Sequence, residues 1–204
     1  MHIVDGALSD QVVIGGAVAT LAGIAYGLKR MDLDRIPQMG MLSATFFIAS
    51  LIHVPVGPTS LHLILNGLIG LALGWTAFPA LFIALLLQAV FFGYGGLVVL
   101  GVNTLNIALP AVIMGLSFRH WIQHSKPKKA AVLGGIVGAG SVVLTAIMVA
   151  GSLALTGDGF MVAAKLSLIS HLPILVVEAL VTAAAVHLLV RVKPDFFDVV
   201  GPSK

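Results

Sequence analysis

Cysteine is absent from the 204-residue sequence, and charged residues are scarce at 9%. Without cysteine the chain has no disulfide, no thiolate nucleophile and no cysteine-based zinc site. Soluble domains usually carry about 25% charged residues, whereas 59% of this chain is apolar and its mean hydropathy is +1.10. Disorder requires low hydrophobicity and high net charge. The composition therefore excludes a soluble globular domain and a disordered chain, and it predicts a membrane protein.

Charged residues are missing altogether from one long stretch, which runs from Ile36 to Phe118. At about 20 apolar residues per crossing, this stretch alone provides about four membrane spans. Clusters of Gly, Pro and Asn divide it. The whole chain, residues 1–204, is predicted to be one all-α, polytopic membrane domain with about seven transmembrane helices. These helices are predicted at 10–28, 38–53, 60–75, 79–99, 104–122, 129–155 and 162–192.

The predicted helices differ in length. The second and third are short for a full span, so they are expected to be tilted or half-buried. The seventh is long, and Pro173 is expected to divide it into a short outer piece and a spanning piece, because proline interrupts helical hydrogen bonding.

Basic residues predict the orientation of the chain. They follow the first, fifth and seventh helices, and with seven spans all three places lie on one side, which the positive-inside rule makes cytoplasmic. Lys165 is the exception. The N-terminus is then outside and the C-terminus cytoplasmic, so the net charge of +3 reflects membrane orientation and no nucleic-acid partner is expected. The basic residues concerned are Lys29, Arg30, Arg35, Arg119, Lys126, Lys128, Lys129, Arg191, Lys193 and Lys204.

The N-terminal segment, residues 1–9, carries the most informative chemistry. It begins Met1-His2-Ile3 without the basic region of a signal peptide, so Met1 is expected to be the mature terminus. Once the His2 amide is deprotonated, a free amine on Met1, the amide nitrogen of His2 and the His2 imidazole can form a five-membered and a six-membered chelate ring around one metal ion. A fourth nitrogen completes a square plane, which suits Ni(II) or Cu(II), with Co(II) chemically close. A histidine at position 2 with no metal role is the alternative that the residues leave open.

His62 is the candidate for the fourth nitrogen. It lies near the start of the third predicted helix, on the same outer side as the N-terminus. A hydrogen bond from this imidazole to a neighbouring carbonyl is the alternative that the residues leave open. His53 and Ser60 lie in the same loop region and are candidates for orienting a metal ligand by a hydrogen bond without contacting the metal. Packing beneath the loop is the alternative for His53.

Four more polar residues lie in apolar surroundings. Asn103 and Asn106, three residues apart, are candidates for hydrogen bonds to the imidazoles or to the N-terminal segment, with helix capping as the alternative. Glu178 is the only carboxylate inside a predicted span, and His171 lies two turns before it. Intramembrane ionisable residues are functional candidates, and a structural hydrogen bond between helices is the alternative for both.

Small residues recur every four positions along the first helix, at Gly15, Ala19, Gly23 and Gly27. Such a stripe lets another helix approach closely. It predicts either packing inside the protein or docking of a partner subunit.

Motifs of ATP hydrolysis and of common hydrolases are absent. No lysine follows a glycine, so the sequence has no Walker A loop, and neither H-E-x-x-H nor G-x-S-x-G occurs. The chain is therefore predicted not to be an enzyme and not to bind ATP, and uphill transport would need energy from other proteins.

Several segments together resemble the cobalt/nickel substrate-binding membrane subunits called CbiM and NikM. The similarity covers nearly the whole chain, and four separate motifs in the same order make it specific. The matching segments are 1–6, 58–63 with 66–70, 88–110, and 171–173 with Glu178.

This resemblance implies a seven-helix, substrate-capturing subunit of an energy-coupling factor transporter in a bacterial or archaeal cytoplasmic membrane. It implies that the metal is held by the Met1 amine, by the amide and imidazole of His2, and by His62. It also implies a transmembrane coupling subunit, ATPase subunits and often a small two-helix membrane protein as partners.

Capture and import of Ni(II) or Co(II) is thus the function that the sequence favours. An intramembrane metalloenzyme that uses His2, His62 and Glu178 is the second hypothesis, and a scaffold subunit that binds no metal is the third. The sequence leaves open which of the two metals is carried and whether it serves cobalamin, urease or hydrogenase.

Overall fold

The computed structural model describes residues 2–51, 53–56 and 59–197, and it describes side chains for all of these except 53–56 and 59–61. The described part contains seven α-helices and one two-stranded antiparallel hairpin. Their bounds are α1 Asp10–Lys29, α2 Ile36–Ala49, β1 His53–Val56, β2 Thr59–His62, α3 Asn66–Leu73, α4 Ala77–Phe92, α5 Leu100–Gln123, α6 Pro127–Ala154 and α7 Met161–Val192.

The structure confirms an all-α, polytopic membrane architecture with seven helices. Five helical segments, namely 10–29, 66–92, 100–123, 127–154 and 158–192, are long and apolar enough to cross a membrane. α2 has 14 residues and α3 has 8, so both are shorter than the roughly 20 residues of a full span. The expectation that the second and third helices are short is confirmed.

Several details of the predicted helices are wrong, and the fourth helix, for example, ends at Phe92 and not at residue 99. Residues 59–62 form β2 instead of the start of the third helix, and α3 begins only at Asn66. α7 continues without a break through Pro173. Proline is tolerated inside membrane helices because neighbouring helices can form hydrogen bonds with the backbone groups that it leaves unpaired.

α3 is the central element, since all eight of its residues are buried. Its glycines let three backbones approach closely. A Cβ on Gly67 would lie 3.0 Å from the Gly138 Cα of α6, and a Cβ on Gly70 would overlap the Ala111 carbonyl of α5. At Gly74, with φ +56°, the chain turns out of α3 towards α4.

Opposite charges bind the two ends of α3. The Glu178 carboxylate of α7 accepts hydrogen bonds from the backbone N–H groups of Ile64 and Leu65, the latter at 2.8 Å, just before the helix begins. The buried Arg119 of α5 donates to the carbonyl of Leu71 at 2.6 Å near the other end. An anion at the N-terminus and a cation at the C-terminus both interact favourably with the helix dipole and so stabilise the helix.

Two of the four residues of the small-residue stripe of α1, Gly23 and Gly27, pack inside the protein. A Cβ on Gly23 would overlap the Phe78 ring of α4, and a Cβ on Gly27 would lie 2.6 Å from the Trp75 carbonyl. Gly15 is exposed and Ala19 is half-buried. Gly23 and Gly27 are thus occupied by internal packing, and the buried face of α1 consists of Gly16, Thr20, Gly23 and Gly27.

We expect Gly70→Ala to destabilise the protein, because the added Cβ forces α3 away from the Ala111 carbonyl. Overpacking of this kind typically costs about 1–3 kcal/mol. Gly40→Ala in α2 is the matched control, since its Cβ meets no atom within 4 Å. Thermal unfolding of the purified variants in detergent measures the difference, and equal stability of the two would show that α3 and α5 are not packed this closely.

Candidate metal-binding site

The N-terminal segment is held in the membrane domain by Asn103 of α5. The Ile3 N–H donates to Asn103 Oδ1 at 2.9 Å, and the Asn103 side-chain amide donates to the Ile3 carbonyl at 2.9 Å. Asn103 therefore satisfies both backbone groups of one residue, as a strand partner would. The Ile3 side chain is fully buried, so the segment is fixed by packing as well as by hydrogen bonds.

Asp5 provides a second anchor two residues later. Its N–H donates to the Gly95 carbonyl at 3.0 Å, and its carboxylate accepts from the Val99 N–H at 3.0 Å, at the start of α5. Gly95 and Gly96 have φ values of +76° and +137°. A Cβ at Gly95 would lie 2.9 Å from the Asn103 amide nitrogen, so only glycine fits there in both conformation and space.

These anchors bring His2 against His62. The two ring centroids are 4.7 Å apart with an interplanar angle of 28°, and the two side chains are only 2% and 3% exposed. The rings of Phe46 of α2 and His62 are nearly perpendicular with centroids 6.1 Å apart, and the Tyr94 ring lies 6.5 Å from that of His2. Two imidazoles that are 60 residues apart in the sequence thus meet in an aromatic, buried environment.

The local backbone selects the tautomer of His62. Its Nδ1 lies 2.7 Å from the Leu63 carbonyl oxygen, so Nδ1 carries the proton and donates, which puts the lone pair on Nε2. A hydrogen bond of this kind orients a metal-binding imidazole. The alternative of a hydrogen bond to a neighbouring carbonyl is therefore compatible with metal binding through the other ring nitrogen.

Glu178 fixes the chain directly after His62. Its carboxylate holds the N–H groups of Ile64 and Leu65, and the backbone of Leu65 is left-handed with φ +50°. Asn66 then donates to the Ile107 carbonyl at 3.1 Å and to Thr145 at 3.0 Å. Glu178 therefore positions the segment that carries His62.

The remaining candidates lie as follows. The backbone of His53 pairs with that of His62, and Ser60 pairs with Pro55, but the side chains of both predicted residues are outside the described ones, as is Met1. Asn106 pairs with Ser152 of α6 at 3.2 Å instead of contacting the imidazoles or the N-terminal segment. The buried Nδ1 of His171 lies at hydrogen-bond distance from the Ser167 carbonyl of its own helix.

Sequence reasoning gave no role to Asp5, Gly95 and Phe46, which all help to build this site. A signal for Asp5 exists, since it is an acid in the outward-facing segment and belongs to the first matching motif. Phe46 has no such signal, because one aromatic residue in an apolar helix looks like any other.

Within the described residues, no group of three or more His, Cys, Asp or Glu side chains is placed to hold a metal ion. His2, His62 and Glu178 are all described, so they do not form the three-ligand cluster that the metalloenzyme hypothesis requires. What the structure brings together is an imidazole pair beside an N-terminal backbone.

A family model described as the cobalt uptake substrate-specific transmembrane region, CbiM, matches residues 2–196. The chain is 42% identical over 198 residues to a putative metal transport protein of Haemophilus influenzae, with 96% of each chain covered. It is 35% identical over 115 residues to the fused nickel transport protein NikMN of Rhodobacter capsulatus, which covers 53% of this chain and 33% of that protein.

A crystal structure of a truncated transition metal transporter has the same fold. It superposes with a TM-score of 0.73 at 27% identity and covers 94% of this chain and 97% of that one. The buried imidazole pair, the membrane architecture and these similarities agree. The chain belongs to the CbiM family and is a substrate-specific membrane component of cobalt or nickel uptake.

Proposed function

We propose that this protein captures Ni(II) or Co(II) with four nitrogens, which are the Met1 amine, the amide and imidazole nitrogens of His2, and Nε2 of His62. The observation that carries the proposal is the buried pair of His2 and His62, whose rings are 4.7 Å apart. The metal is the transported substrate, and it ties the N-terminal segment to the segment before α3.

The distance between the rings supports one shared ion. A metal–imidazole nitrogen bond is about 2.0–2.1 Å, which places two imidazoles on adjacent corners of a square plane with centroids about 4.5 Å apart. The proposed chelate puts the rings of His2 and His62 on such adjacent corners, because the His2 amide nitrogen lies between the amine and the His2 ring. The observed 4.7 Å is close to this value.

We further propose that the protein delivers the metal for ATP-driven import by a transmembrane coupling subunit and ATPase subunits, with a small two-helix accessory protein, in a bacterial or archaeal cytoplasmic membrane. The family membership and the lack of a Walker A motif in the chain support this division of labour. The relative named as a fused nickel transport protein supports an additional component, since this chain matches only 33% of its length.

We expect His62→Ala to abolish tight metal binding while the protein remains folded. Loss of a ligand should exceed the roughly 10–100-fold loss that removal of a second-shell partner causes. His124→Ala is the matched control, since it removes an exposed imidazole elsewhere. Isothermal titration with Ni(II) and Co(II) measures both, and wild-type affinity of the His62 variant would show that His62 is not a ligand.

Asn103→Leu should weaken metal binding by about 10–100-fold, as loss of a second-shell partner does, because Ile3 loses both backbone hydrogen bonds. Asn106→Leu is the control, since it makes the same change one turn further along α5 but, among the described residues, removes hydrogen bonds to Ser152 instead of those to Ile3. The comparison uses the same titration. If both variants bound metal equally well, Asn103 would not hold the chelating segment in place.

One glycine added before Met1 should prevent transport. The amine then lies one residue further from His2, and the Met1 nitrogen becomes an amide. The extended N-terminus can fill a square plane with its own amine, two amides and the His2 imidazole, so His62 is no longer needed. Metal uptake is measured in cells, and absorption spectra are measured on the purified protein, each with and without the extra residue. A protein with one glycine added at the C-terminus is the control. Equal uptake by the N-terminally extended protein would exclude a role for the Met1 amine.

A further inference from the structure

A small cavity of about 50 Å³ lies where α3 ends, at the opposite end of the fold from His2. Arg119, which lines it, follows Asn103 by about 24 Å along α5, at 1.5 Å per residue. The other charged lining residues are Arg30, Asp32 and Arg35 from the connection between α1 and α2. By the distribution of Lys and Arg, this end faces the cytoplasm.

Arg119 is a buried cation whose charge is not balanced. Its side chain is 6% exposed, and it donates to the carbonyls of Leu71 and Gly70. A guanidinium has five N–H donors, so more than half of its donors are left for the cavity. In the part of the chain that the structure describes, no carboxylate forms an ion pair with it. A buried charge is costly unless it is paired.

The other lining residues do not balance this charge. Asp32 accepts from the Asp34 N–H at 3.1 Å and forms no ion pair within the described ranges. Arg30 donates to the Tyr26 hydroxyl at 2.7 Å, and Arg35, at the start of α2, makes no capping hydrogen bond with its side chain. Three arginines and one aspartate leave the cavity with an excess of positive charge.

We propose that this cavity binds a phosphate group, either in the headgroup of an anionic phospholipid or as free phosphate. Guanidinium groups match phosphate oxygens in pairs of parallel hydrogen bonds. Basic pockets between transmembrane helices on the cytoplasmic side are suited to anionic headgroups. The bound phosphate supplies the missing counter-charge to Arg119 and so stabilises the C-terminal end of α3.

The test uses the full-length protein in nanodiscs of phosphatidylcholine alone, of phosphatidylcholine with phosphatidylglycerol, and of phosphatidylcholine with added inorganic phosphate. Thermal unfolding and native mass spectrometry report stability and bound lipid. Arg35→Gln is the test variant, because it removes one cation of the cavity without touching the bonds of Arg119 to α3. Arg191→Gln is the matched control, since it removes an exposed arginine at the same predicted membrane side.

We expect phosphatidylglycerol or phosphate to raise the unfolding temperature of the wild type and of Arg191→Gln. In Arg35→Gln the affinity should fall about tenfold, as loss of a charge-assisted hydrogen bond predicts. A rise with phosphatidylglycerol alone identifies a lipid headgroup, whereas a rise with phosphate in phosphatidylcholine identifies the free anion. No rise with either, a rise that Arg35→Gln retains in full, or an equal loss in both variants would overturn the proposal.

Discussion

The arrangement of this protein depends on one short helix, α3. It has no charged residue of its own at either end, and charged side chains from two other helices form hydrogen bonds with its backbone at both ends. α3 has eight residues, all buried, and an isolated helix of that length is not stable in water without partners. The Glu178 carboxylate holds the N–H groups before its first turn, and the Arg119 guanidinium holds the carbonyls near its last turn. The signs match the helix dipole. Each of these two charges would be unfavourable in a membrane interior by itself. Together they fix the position of a helix that is too short to span the membrane.

The position of His62 in the candidate metal site is set by this helix. His62 precedes α3 by four residues, and Glu178 fixes the two N–H groups between them. The partner imidazole of His2 comes from the N-terminal segment, 60 residues earlier in the chain, and is placed by Asn103 and Asp5. None of these three positioning residues needs to touch a metal. Asn103 lies in α5, Glu178 in α7 and Asp5 in the N-terminal segment, and together they set the distance of 4.7 Å between the two rings. The site therefore exists only when these three segments are assembled.

The sequence predicts much of this structure because apolar length and breaker residues are local signals. They give seven helices and identify α2 and α3 as short, and chelate chemistry with the family motifs indicates His2 and His62. The strand at residues 59–62 is missed because four residues, Thr-Ser-Leu-His, are too few to show a period and lead directly into the apolar residues that precede α3. Asn103 and Asn106 look equivalent in the sequence, and only the rotation of α5 decides that Asn103 faces Ile3 while Asn106 faces Ser152. The role of Glu178 is not predictable because its partners are backbone N–H groups, which every segment has.

The two halves of the site differ in how firmly the fold holds them. His62 is tied to α3, whose glycines pack backbone to backbone against α5 and α6. The N-terminal segment before α1 has no helix, and four hydrogen bonds through Asn103 and Asp5, with the buried side chain of Ile3, attach it. At about 0.5–1.5 kcal/mol net for each hydrogen bond, these four bonds together contribute about 2–6 kcal/mol. A carrier must both hold and release its metal. Under the proposed function, the N-terminal segment is the half of the site that a few kcal/mol can detach, and the histidine beside α3 is the half that stays.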